Sequence, residues 1–174
     1  MARIDRPPRG ECADYYYTYI DRVPDGDVVE HLAVQRDRTA AILGRVDAAK
    51  ETFRYSAGKW SVREVVGHMI DTERVFTGRA LAIARRDPAD QPSMDQDLWM
   101  ANAGFDRRTL ASLAAELLTV RDATMSLLRS FDDEVVMRLG RASGNPFRVR
   151  GLVWTIAGHE LHHLATLAER YGVR

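Results

Sequence analysis

Near its C-terminus the chain reads His159-Glu160-Leu161-His162-His163, three imidazoles and a carboxylate within five residues. His159 and His163 are four residues apart, so on a helix they stand one above the other on one face. That face reads as the inner one. His159 comes seven residues after Leu152, His163 seven after Ile156, and Leu167 four after His163. Both rings therefore fall in line with an apolar stripe. A buried imidazole without a partner costs about 1–3 kcal/mol. Separate hydrogen bonds could satisfy the two rings, but one shared metal ion satisfies both, and the spacing favours that reading. A catalytic metal site usually takes three protein ligands and keeps a position open. His68 is the third candidate; spacing alone leaves it open between a ligand and an edge residue. His31, beside Gln35 and Arg38, reads as solvated. His162 sits about 100° round the helix from His163 and reads as a lateral or surface residue.

The same run also matches H-E-x-x-H, in which Glu160 would be the general base of a zinc protease. The rest of that pattern is missing. Thr166 and Glu169 stand where the extended motif needs glycine and histidine, and only eleven residues follow His163. Glu160 as a proton shuttle stays open, because its helical angle turns it away from His159. Arg121 interrupts an apolar stripe, which suggests an internal ion pair with Asp71 or Glu73. Trp60, Trp99 and Trp154 read as packing residues. No serine or cysteine triad and no phosphate loop is visible.

Four periodic segments must position these residues. The first spans about 27–49, opening on Asp27 with Glu30 three residues on. The second spans about 61–86, opening on the capping box Ser61-Val62-Arg63-Glu64 and closing before Pro88. The third spans about 107–130 and the fourth about 149–171, with Gly172 as its C-cap. Tyr15 to Ile20 suggests a short helical turn, and Gln96 to Met100 another. No convincing strand alternation appears. The expected fold is all-α, a four-helix bundle in one domain over 1–174, with a long crossover between the second and third helices.

Composition narrows the function classes. The 25 basic residues cancel the 25 acidic ones, so no electrostatic footprint for nucleic acid or anionic membrane is expected. Cys12 is the single cysteine, which excludes an internal disulfide and a cysteine-based zinc knuckle. From Met1 to Glu11 the chain lacks the apolar core of a signal peptide, and no run approaches the roughly 20 apolar residues of a membrane span. The expectation is a cytoplasmic protein.

Two stretches resemble motifs of a known family. Gly58-Lys59-Trp60-Ser61-Val62-Arg63-Glu64-Val65-Val66-Gly67-His68-Met69-Ile70-Asp71-Thr72-Glu73-Arg74-Val75-Phe76 is similar to the second-helix motif of the DinB superfamily, and Ala157-Gly158-His159-Glu160-Leu161-His162-His163 to its last-helix motif. Ser93-Met94-Asp95-Gln96-Asp97 and Val120-Arg121-Asp122-Ala123-Thr124 fit between them. The resemblance implies an up-down-down-up bundle, a homodimer, and a metal site of His68, His159 and His163 holding zinc or nickel. It also implies a metal-dependent enzyme of the thiol S-transferase or hydrolase type. Its partners would be a low-molecular-weight thiol and a small electrophile. The alternative is a non-catalytic, metal-stabilised structural or stress-response bundle.

Overall fold

Local side-chain chemistry sets where the helices start. In the computed structural model, which describes residues 2–174, Asp27 caps α2 (Val28–Leu43) by accepting from the Val29 amide. Ser61 and Glu64 close the capping box of α3 (Val62–Ala84). Thr109 accepts from the Ser112 amide at the start of α5 (Leu110–Arg129). Each such bond satisfies an amide that the helix itself leaves orphaned, worth about 1 kcal/mol. The last long helix, α7 (Val149–Tyr171), ends at Gly172, whose φ of 66° is the left-handed C-cap expected there. Met1, where the N-terminal stretch begins, lies outside the described residues.

The first and third helices are shorter than the sequence suggested. Gly44 terminates α2, and Asp47 starts a separate 3-10 turn over Ala48–Lys50. Before α5, Gly104 at φ 65° introduces another such turn, Phe105–Arg107. Short helices α1 (Asp14–Ile20) and α4 (Gln96–Ala103) occupy the two predicted turns, α4 running three residues further. A four-residue helix, α6 (Asp133–Val136), follows α5. The unexpected element is an antiparallel hairpin, β1 (Leu139–Ala142) with β2 (Asn145–Arg148), in the register Leu139–Arg148 to Ala142–Asn145. Ser143 and Gly144, at φ 54° and 75°, make its two-residue turn. Four-residue strands are too short to display an alternation.

Side-chain pairings fix the topology. Glu73 meets Arg121, and Thr77 meets Thr124, so α3 and α5 run parallel. Gln35 reaches Ala157 and Thr39 reaches Glu160, so α2 and α7 are also parallel. Arg121 donates to the Leu32 carbonyl, and Arg36 pairs with Asp122, joining α2 to α5. Tyr171 at the end of α7 donates to the Trp60 carbonyl just before α3, so these two are antiparallel. The order is up-down-down-up, and the crossover through α4 supplies the required span from α3 to α5. No helix of the described residues is long and apolar enough to cross a membrane.

The interior is divided along its length. One apolar cluster gathers Leu32 of α2, Phe76 and Ala80 of α3, Leu128 of α5 and Trp154 of α7. The other gathers Leu43, Val66, Leu113 and Leu167 of the same four helices. Between them each helix contributes buried polar residues: Gln35 and Thr39, Thr72 and Glu73, Arg121 and Thr124, His159 and Glu160. The histidines belong to this layer.

Candidate metal centre

Antiparallel packing of α3 on α7 sets His68 opposite His159 and His163. Two glycines permit the close approaches around them. A Cβ on Gly67 would fall 2.3 Å from the Phe105 ring. A Cβ on Gly158 would fall 2.1 Å from the Tyr19 carbonyl oxygen, so α1 crosses α7 against bare backbone. Tyr19 is thereby held over the site, its ring centroid 5.4 Å from both His159 and His162. Trp60 covers the other side, 4.8 Å from the His68 ring.

Three Nε2-bearing rings converge. His159 Nε2 lies 3.2 Å from His68 Nε2 and 3.0 Å from His163 Nε2. One ligand atom of each residue lies within 4.8 Å of the others. Two nitrogens on a tetrahedral ion, each about 2.1 Å from it, stand ~3.4 Å apart. The observed spacing is that of imidazoles converging on a common point. Their protonation state agrees. Burial pushes His68 down to about 4, helped by nearby His162. Burial also takes His159 well below its ordinary value, reinforced by His163, His68 and His162. His163 moves the same way through burial, His68 and His162. At neutral pH all three are uncharged and have lone pairs to offer, the form a metal requires.

Neither His162 nor Asp71 belongs to that group. His162 flanks it, with its ring 5.0 Å from His163. Asp71 sits beside Arg74, 3.9 Å away. Glu160 faces away. Its carboxylate accepts from Thr39 and, at 2.6 Å, from Arg121, so it cannot act as an H-E-x-x-H base toward the histidines. Arg121 also makes a two-point contact to Glu73 at 2.8 Å through Nε and Nη2. Of the partners that sequence offered Arg121, Glu73 is real, Asp71 is not, and Glu160 was missed. Burial opposes the guanidinium charge, but the Glu160 and Glu73 carboxylates outweigh it and raise its pKa. His31 is not freely solvated: its ring centroid lies 6.3 Å from that of Trp154, and its Nε2 is buried without a partner.

Two clefts reach the cluster. One, of about 280 Å³, is lined by Tyr16, Phe76 and Arg79 together with His68 and His159. The other, of about 370 Å³, is lined by Trp60, Tyr171, His162 and His163. Gln96 of α4 borders both. Arg79 escaped the sequence reading although a signal existed. It lies eleven residues after His68, about three helical turns on and on the same face of α3.

The sequence profile described as the DinB superfamily matches residues 31–167. The fold is similar to that of YfiT from Bacillus subtilis, described as a probable metal-dependent hydrolase with an unusual four-helix bundle topology. That similarity has a TM-score of 0.69 at 18% identity and covers 98% of this chain and 95% of the other. A DinB-like protein, YjoA, also from Bacillus subtilis, aligns at TM-score 0.58 and 20% identity, covering 80% of this chain and 85% of the other. No curated protein matches the chain.

Proposed function

The chain belongs to the DinB superfamily, and from that membership we propose that it is a metal-dependent enzyme of the hydrolase or thiol S-transferase type, working with zinc or nickel held by His68, His159 and His163. The observation that carries this reading is the convergence of three neutral imidazoles, two buried and one half-buried, beside open clefts. Imidazole donors suit both metals. A divalent ion bound there would lower the pKa of a coordinated water or low-molecular-weight thiol, making a nucleophile at neutral pH.

The protein's own part is to fix and shield the donors. Thr72 Oγ1 lies against the His68 ring, 3.4 Å from Nδ1 and 3.5 Å from Nε2. Partners of this kind set ring orientation in metal sites. The Arg121 bonds hold Glu160, and with it the turn of α7 that carries His159. Trp60 and Tyr19 limit water on the two flanks, which strengthens any electrostatic interaction within the site. With three protein donors and no fourth in the group, a bound ion would keep a position for water or substrate, and both clefts are lined by the donors. That supports catalysis over a closed structural site. YfiT, described as a probable metal-dependent hydrolase, supports the hydrolase branch.

The test is a panel of ester and amide hydrolysis and thiol-transfer reactions, run on the purified protein before and after chelation. At least one activity is expected to fall more than about 100-fold on chelation, to return with zinc or nickel, and to be lost in His163→Ala. An activity indifferent to the chelator would contradict this reading.

A further inference from the structure

Arg79 is 5% exposed and lines the aromatic cleft next to the histidines. Its Nη2 donates to the Pro92 carbonyl at 2.7 Å and to Ser143 Oγ at 3.1 Å, tying α3 to the crossover and the hairpin. Its Nε is buried with no hydrogen-bond partner. No carboxylate of the described residues forms an ion pair with it, whereas the other buried arginine of the interior, Arg121, has two. A buried cation without a counter-ion is costly. The cost is visible in the side chain itself: burial lowers the Arg79 pKa, and Tyr16 and Asp90 offset that only in part. The Phe76 ring faces the guanidinium, 5.1 Å from centroid to Cζ, and stabilises the charge without neutralising it.

His68, Thr72, Phe76 and Arg79 follow one another at spacings of four, four and three residues. They therefore form one stripe of α3, and all four line the same cleft with His159. Eleven residues correspond to about 16 Å of helix between His68 and Arg79. Between the two ends the walls are aromatic, with Tyr16 and Phe76 in edge-to-face contact at 6.1 Å. No aspartate or glutamate lines the cleft; Asp90 is the carboxylate felt by Arg79, and it offsets the burial of the guanidinium only in part.

We propose that Arg79 binds the carboxylate of a small organic acid with a flat, apolar middle, which spans the cleft and presents its reactive end to the histidine cluster. Arginine is the side chain best matched to a carboxylate, and the ligand would provide the counter-ion that the fold withholds. Only the identity of the reactive end rests on the metal-dependent reading; the carboxylate subsite stands on Arg79 alone.

The experiment compares 3-phenylpropionate with its uncharged amide, titrated into the full chain both loaded with zinc and after chelation. Binding is followed by NMR, including the Arg79 Nε–H resonance. The acid is expected to bind at least about tenfold tighter than the amide in both forms and to shift that resonance. Arg79→Gln should remove the preference, and Arg79→Lys should retain part of it. Equal binding of acid and amide by the wild type, which needs no variant to fold, overturns the proposal. So does a preference that survives in folded Arg79→Gln. If the protein binds no zinc yet prefers the acid, the carboxylate subsite stands and the metal-dependent reading falls.

Discussion

Glu160 and His159 are neighbours in sequence with separate tasks. His159 turns toward His68 and His163; Glu160 turns into the buried contact with Arg121 and Thr39. The His159–His163 pair was legible because an i,i+4 spacing within an apolar stripe buries two adjacent rings that must be satisfied together. His68 was not fixed by spacing, because only the α3–α7 contact brings it across. The Arg121 network was half legible, since a sequence shows that a charge is buried without showing which of several acids reaches it. Arg121→Met tests the network. It strands two carboxylates in the interior, where losing a partner costs about 3–5 kcal/mol. Denaturant unfolding should show a loss of that size; a change under about 1 kcal/mol would mean that the layer contributes little to stability.

Among the elements, α1 gives Tyr15, Tyr16 and Tyr19 to the aromatic cleft and the hairpin turn gives Ser143, and both elements were weakly signalled. The seven residues of α1 are too few to show a period, and β1 and β2 have four residues each. The four long helices declared themselves through caps and stripes, and their errors fell at ends where glycine or a 3-10 turn intervenes. Gly158 is the contact on which α1 depends. Gly158→Ala places a methyl group 2.1 Å from the Tyr19 carbonyl oxygen, which backbone must move to relieve. Overpacking of this kind costs about 1–3 kcal/mol. The expected result is a lower unfolding midpoint together with shifted Tyr19 and His162 resonances, as α1 lifts from the site. Resonances identical to wild type would show that α1 does not lean on this glycine.

For the whole molecule, the polar layer between two apolar clusters makes stability depend on pH. In the metal-free protein the buried histidines stay neutral, while in the unfolded chain they titrate near 6.5. Below that value the unfolded state takes up more protons, so stability is fully present above about 6.5 and is lost as pH falls toward the folded value of about 4 for His68. At pH 5, His68 alone accounts for about 2 kcal/mol. Unfolding free energies at pH 7.5 and pH 5 should differ by at least that amount in the chelated wild type, and by less in His68→Gln. A flat profile would mean that the rings are not buried in neutral form. The central claim, that His68, His159 and His163 hold a metal, is tested most directly by elemental mass spectrometry of untagged protein, wild type beside His159→Ala. About one zinc or nickel per chain is expected in the wild type and almost none in the variant. No metal in either protein, even after incubation with both ions, would contradict it.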